Sequence, residues 1–277
     1  MWPVPPYRSF SGRRPDVAAS RGPSDYSCSV AGEFLDAACV GDGAPPSTPT
    51  QAPLRGKERQ RVLQMGKDAH VLIDMVRVPA HGPVEETMVD RRTGRVWTVE
   101  VSPFEVATTV VTVAQWNATL GGVTEPSHAD LPKVEVSWRH AVSFCNELSL
   151  RGGLTPAYTI TAVDPPTPGH STWTPHDEAA PDDWHASWDR GANGYRLLTD
   201  AEWQVACRAG STGPRYGALD DIAWYAGNSR GSLRPVRQKQ PNAWGLSDTL
   251  GGVWEWCWDR YDADAYGSYR IIRGGGW

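Results

Sequence analysis

Residues 241–259 read Pro-Asn-Ala-Trp-Gly-Leu-Ser-Asp-Thr-Leu-Gly-Gly-Val-Trp-Glu-Trp-Cys-Trp-Asp, and they decide the fold. Trp254, Trp256 and Trp258 recur every second residue, so an extended segment points all three the same way. Val253, Glu255 and Cys257 then point the other way. Glu255 is the odd member, a carboxylate among large aromatics. Buried and ionised, it needs a partner, because an unpaired buried charge is very costly. Asp248 lies seven residues upstream, across a Gly-Gly turn. Glycine lets a chain bend sharply and aim carbonyl oxygens inward. Two carboxylates plus turn carbonyls make an all-oxygen cage, which suits a hard cation such as calcium. A Glu255 bonded to backbone N–H groups or to an arginine satisfies the same requirement, and spacing alone leaves both readings open.

Two other blocks accompany this one, Gly194-Tyr-Arg-Leu-Leu-Thr-Asp-Ala-Glu-Trp203 and Arg273-Gly-Gly-Gly-Trp277. In this order the three resemble the sulfatase-modifying-factor family, best known for the formylglycine-generating enzymes. The family pattern reads roughly Gly-Leu-x-Asp/Asn-x-x-Gly-Asn-Val-Trp-Glu-Trp, preceded by Tyr-Arg-Leu-Pro-Thr-Glu-Ala-Glu-Trp and followed by Arg-Gly-Gly-Ser/Gly-Trp/Tyr. The resemblance covers residues 74–277. It implies a variant of the C-type-lectin-like fold, α+β and irregular, with little regular secondary structure. It also implies a structural calcium ion on Asp248, the carbonyls of Gly251 and Val253, and Glu255. Gly252 stands where the family usually has Asn, which removes one side-chain hydrogen bond. Longer members hold a second calcium, but the acids expected for it near residues 222–242 are not apparent, so one ion at most is expected.

In the enzymes of this family, two cysteines follow the Arg-Gly-Gly block almost at once. They bind copper, which activates oxygen to convert a substrate cysteine to formylglycine; paired thiolates suit copper(I). Here the sequence stops at Trp277. The expectation is a domain whose C-terminal part is missing, truncated before the copper-binding pair and inactive as written. The alternative is a non-catalytic binding module of the same fold. Either way Trp254, Arg273, Gly274, Gly275 and Trp277 should line one wall of a cleft for a peptide or small molecule. Related sulfoxide synthases carry iron on a His-x-x-x-His-x-Glu pattern, which is absent here. A domain with no site at all is the plainest alternative.

Bulk properties narrow the class. A net charge of −5 argues against a nucleic-acid partner. No apolar run approaches the roughly 20 residues of a membrane span, and the N-terminus lacks the apolar core of a signal peptide. Cys28, Cys39, Cys145, Cys207 and Cys257 are dispersed, with no Cys-x-x-Cys pair. That pattern fits neither a zinc site nor a disulfide framework, and a reducing cytoplasm is the simplest home. Thirteen of the fourteen tryptophans lie at or after Trp97, so the core belongs to that part.

Nine of 23 prolines precede residue 54, mixed with Gly, Ser and Arg. Residues 1–66 are therefore expected to form a disordered tail, with a short helix near 58–65, and 67–277 the folded domain. Met75-Val-Arg-Val and Val96-Trp-Thr-Val-Glu-Val alternate as strands. Thr112 with Gln115, and Thr199 with Glu202, are capping-box patterns that start helices; Ser137 is a third N-cap. Trp138, Ala141, Val142, Cys145 and Leu148 share one face of the second helix; Trp203, Ala206 and Cys207 form the stripe of the third, which Gly210 should end. His140 reads as a first-turn residue. Residues 155–191, rich in proline, histidine and acids, read as an irregular loop. No βα alternation appears, which agrees with α+β.

Deleting residues 1–66 should leave the thermal transition of the remaining domain nearly unchanged, because such a segment buries little apolar surface. A cooperative loss of stability in differential scanning calorimetry would place the tail inside the core.

Overall fold

Capping chemistry places the helices. In the computed structural model, which describes residues 3–4, 73–90, 92–161, 185–261 and 269–277, helix α1 (Val113–Leu120) begins at Thr112. The Thr112 hydroxyl accepts the Gln115 N–H at 3.2 Å, and Gln115 Oε1 accepts the Thr112 N–H at 2.9 Å. Helix α2 (Trp138–Arg151) begins at Ser137, whose hydroxyl accepts the His140 N–H. Helix α3 (Asp200–Arg208) repeats the reciprocal arrangement with Thr199 and Glu202. Each cap satisfies helix N–H groups that would otherwise lack partners. A further short helix, α4, spans Leu219–Ile222. The end of α3 differs from expectation. Ala209, not Gly210, is the C-cap, at φ 47°. Gly210 follows at φ 82°, so the glycine permits the second left-handed residue rather than the first.

The strands pair in small antiparallel groups. β1 (Pro3–Val4), β8 (Trp254–Arg260) and β9 (Arg270–Arg273) form a sheet with β8 central; β1 lies in the segment expected to be a disordered tail, and its pairing with Glu255 and Trp254 departs from that expectation. β2 (Met75–Val78) pairs with β5 (Phe104–Ala107), and β3 (Val84–Val89) with β4 (Val96–Val101). β3 and β5 were not foreseen from the sequence. β3 carries two glutamates in succession, Glu85 and Glu86, which blur its alternation, yet Glu86 and Met88 are both buried. Residues 155–191 also depart from the irregular loop expected. Their ends pair as β6 (Tyr158–Thr161) and β7 (His185–Trp188). The β-branched Thr-Ile-Thr run carries the strand signal, and the prolines and charges between the two runs obscured it. His170, His176, Asp177, Glu178, Asp182 and Asp183 lie outside the described residues, as do Cys28, Cys39 and, apart from Pro3 and Val4, the tail with its expected helix.

Successive residues of β8 enter different parts of the core. Trp256 joins Trp116, Trp138, Val142, Phe144, Leu148 and Tyr158, with Trp254 and Trp258 packed partly against the same cluster. Cys257 joins Val78, Phe104, Val106, Trp203, Ala206 and Leu246. The period-two reading of this stretch therefore holds. Trp258 stacks on Tyr158 with centroids 4.8 Å apart and meets Trp138 at 5.3 Å and the edge of Trp188 at 5.8 Å. Tyr158 and Trp188 are cross-strand partners, so this aromatic cluster fastens the β6–β7 hairpin to β8. Arg270 lies 3.6 Å above the Trp138 ring, a cation–π contact from β9. Among the described residues, no helix is long and apolar enough to cross a membrane.

Glu202 does two jobs. Besides capping α3, its carboxylate takes a bidentate fork from Arg196, both bonds 2.7 Å. Burial works to raise its pKa, but the Arg196 guanidinium and the Thr199 N–H outweigh that and hold it below the ordinary carboxylate range. A depressed folded-state pKa contributes stability above the unfolded value and loses it as pH falls through the folded value. Glu202→Gln should therefore destabilise by about 1.5–3 kcal/mol at pH 7, the size of a charge-assisted hydrogen bond. Urea denaturation of both proteins at several pH values checks this, because the gap should close as the medium becomes acid.

Candidate functional site

The site is built where β8 leaves the glycine turn. Glu255 has no exposed surface. Its Oε2 accepts the Trp203 indole N–H at 2.9 Å, while its Oε1 is buried and makes no hydrogen bond among the described residues. Burial pushes its carboxyl up to about 8; the nearby Asp248 charge adds to the rise, and the Trp203 N–H opposes it. A carboxylate this deep with one free oxygen is a half-satisfied group, and such groups cost stability unless something completes them.

The turn ahead of it depends on glycine. Gly251 and Gly252 have φ of 71° and 70°. The Gly251 carbonyl accepts the Val253 N–H at 2.8 Å, so Gly252 is the centre of a three-residue turn at positive φ. A side chain is excluded at Gly251, because an added Cβ would sit 2.2 Å from the Trp224 carbonyl oxygen. That same carbonyl accepts the Gly252 N–H at 2.6 Å. At Gly252 an added Cβ meets nothing within 4 Å. Asn tolerates left-handed backbone better than most residues, so the family's usual Asn is sterically admissible there.

The residues expected to form a cage are brought together in part. Val253 O and Glu255 Oε1 both face Gly274, lying 2.7 and 3.3 Å from where its Cβ would be. Gly251 N–H donates to Gly274 O at 2.9 Å, which closes the turn onto the chain after β9. Asp248 is nearly buried, at φ 60°, and its Oδ2 accepts the Arg237 backbone N–H at 2.7 Å. Burial raises its pKa as well. The described residues contain no group of three or more His, Cys, Asp and Glu side chains placed to hold a metal. A cation here would therefore be held by two carboxylates and backbone carbonyls, a hard all-oxygen set that suits calcium and not zinc. The orphaned Glu255 Oε1, lying with Val253 O beside Gly274, is the feature that fits.

Among the residues expected to line a cleft, Arg273 is committed to an ion pair. Arg273 does not offer its guanidinium to a cleft. Its Nε and Nη2 bind Asp200 Oδ1 and Oδ2 at 2.5 and 2.7 Å. Asp200 also donates its backbone N–H to Asp259 Oδ2 at 2.6 Å, so the start of α3 is tied to both β8 and β9. Gly275 lies against Gly251, and Gly276 approaches the Trp254 indole, its added Cβ 3.3 Å from Nε1. Trp254 and Trp277 are both half-buried. Trp203, Asp200 and Trp224 were missed as parts of this site. The stripe pattern marks Trp203 as buried, but nothing local in sequence links it to a carboxylate 52 residues away.

The described thiols do not fit copper. Cys145, Cys207 and Cys257 are free and buried. Burial pushes the Cys145 and Cys207 thiols up to about 12, and Cys257 well above its ordinary value. Soft-metal binding needs thiolates, and burial in apolar surroundings opposes their formation.

Gly251→Ala should destabilise by at least the about 1–3 kcal/mol of left-handed strain, with the clash against Trp224 added. Gly252→Asn should stay within about 1 kcal/mol of the parent, since Asn tolerates this backbone. Thermal melts of the two variants side by side test the difference; equal losses would contradict the turn geometry.

Comparison with known proteins bears on the family and the fold. The sulfatase-modifying factor enzyme 1-like domain family matches residues 63–277. The chaperone protein LppX of Paenibacillus barcinonensis is 31% identical over 204 residues, covering 65% of this chain and 71% of that protein. The formylglycine-generating enzyme of Streptomyces coelicolor is 32% identical over 126 residues, but these cover only 33% of this chain and 40% of the enzyme. The structure of Treponema denticola variable protein 1 superposes with a TM-score of 0.60 at 28% identity, over 74% of this chain and 84% of that one. The architecture is the irregular α+β, C-type-lectin-like variant. The chain belongs to the sulfatase-modifying factor enzyme 1-like domain family.

Proposed function

We propose that this domain is a calcium-braced binding module that does not itself oxidise cysteine. The state of the thiols carries the reading: the three described cysteines are buried and free, with pKa values raised by burial. They are poor ligands for copper. Asp248, the carbonyls of Gly251 and Val253, and Glu255 would hold calcium, which when bound would neutralise the two carboxylates and brace the glycine turn. Trp254 and the Gly274–Gly276 run would then present an aromatic, backbone-rich face to a peptide or small molecule. Likeness to both a chaperone protein and a formylglycine-generating enzyme fits a fold that hosts more than one function. Free thiols fit a reducing cytoplasm. Formylglycine formation is the second reading, favoured by the identity to the Streptomyces coelicolor enzyme. It requires a thiolate pair that the described residues do not supply.

The test uses the full chain. Chelation should lower its melting temperature and added calcium should restore it. Glu255→Ala should cost on the order of 3–5 kcal/mol, the scale for breaking a buried charge site. Given copper, oxygen and a cysteine-containing peptide, the protein should make no aldehyde, while peptide binding should persist and weaken in Trp254→Ala. Aldehyde above a no-enzyme control would sink the binding-module reading, and a melting temperature indifferent to chelator would sink the calcium.

A further inference from the structure

We infer that Trp203 is a positioning residue for the cation site: it holds Glu255 by one oxygen so that the other alone lies, with the carbonyl of Val253, beside Gly274. The inference rests on the calcium reading above and concerns a residue that lies in a different sequence block. Glu255 has two oxygens in two environments. Oε2 is taken by the Trp203 indole N–H at 2.9 Å. Oε1 is buried, bonded to nothing described, and directed with Val253 O toward Gly274. Left to itself, a glutamate can turn and offer a cation both oxygens, as the bidentate glutamate of many calcium loops does. Here the indole N–H occupies one lone pair of Oε2 and opposes that turn. Trp203 is 7% exposed, so its N–H has little access to water and would be stranded if Glu255 turned away. The two groups hold each other.

The anchor of Trp203 makes the arrangement rigid. α3 starts at a reciprocal cap, with Asp200 forked onto Arg273 of β9 and bonded through its N–H to Asp259 of β8. The indole thus approaches β8 from a helix whose first turn is clamped to both strands bearing the site. Asp248 is held in the same manner, through Oδ2 and the Arg237 N–H. Each carboxylate is steered by an N–H donor on one oxygen. Donors of this kind orient metal ligands, and removing one typically lowers metal affinity by about 10–100-fold.

Calcium titration of the full chain by isothermal calorimetry, for wild type and Trp203→Phe, decides it. Phe keeps the apolar ring and removes the N–H, and circular dichroism confirms that the variant is folded. The expected result is calcium affinity weakened roughly 10–100-fold in Trp203→Phe. If that variant does not fold, the wild-type protein supplies the second readout. The Trp203 indole N–H resonance should shift during a calcium titration, with the midpoint found by calorimetry. A folded Trp203→Phe with wild-type affinity, or an indole resonance that calcium leaves unmoved, overturns the inference while the calcium reading stands. A wild-type protein that binds no calcium sinks the underlying reading and the inference with it.

Discussion

A glutamate with no exposed surface, bonded through one oxygen to an indole, constrains everything around it. Glu255 sits in the strand whose neighbouring residues supply both halves of the core, Trp256 on one side and Cys257 on the other. Apolar burial and a charge site thus share the same few residues. Moving β8 to relieve the carboxylate would unpack the tryptophans, and moving the tryptophans would strand the carboxylate. Dense interiors transmit strain in this way because they contain few voids to absorb it.

The glycines are the geometric complement of that constraint. Gly251 lets the Trp224 carbonyl come close enough to receive the Gly252 N–H. Gly274 lets Val253 O and Glu255 Oε1 close over its Cα. Neither approach tolerates a Cβ. The aromatic mass of the domain and its glycines therefore work as a pair, since large rings fix the strands and bare backbone fills the narrow space between them. In a domain with short strands and small sheets, much of the ordering falls to such contacts rather than to long ladders.

One ion pair and one hydrogen bond connect the three sequence blocks. Arg273, in the last block, binds the Asp200 carboxylate in the middle one, and the Asp200 backbone N–H donates to Asp259 within the tryptophan strand. An arginine that sequence placed on a cleft wall is in fact a fastener between β9 and the first turn of α3. The bidentate geometry explains the choice of arginine, because a lysine offers a single charged point and no fork. Gly275 lies against Gly251, and Gly276 against the Trp254 indole, without the guanidinium.

Local signals were legible in the sequence. The caps at Thr112, Ser137 and Thr199 start helices where their hydroxyls can take orphan N–H groups, and the alternation of Trp254, Trp256 and Trp258 matches a strand, because both effects act within a few residues. The order of the three blocks was enough for the family and the irregular α+β fold. Strands β3 and β5 were not legible, since their partners, not their own patterns, make them strands, and the prolines and charges beyond β6 hid its strand signal. The partner of Glu255 was likewise beyond reach. Sequence offered backbone N–H groups, an arginine or a cation, whereas folding brings up Trp203 from 52 residues away and leaves one oxygen unclaimed. Residue types and spacing determined that a buried carboxylate would need a partner; only the packing of α3 against β8 decided which atom meets which oxygen, because that choice depends on distances between elements that no local pattern encodes.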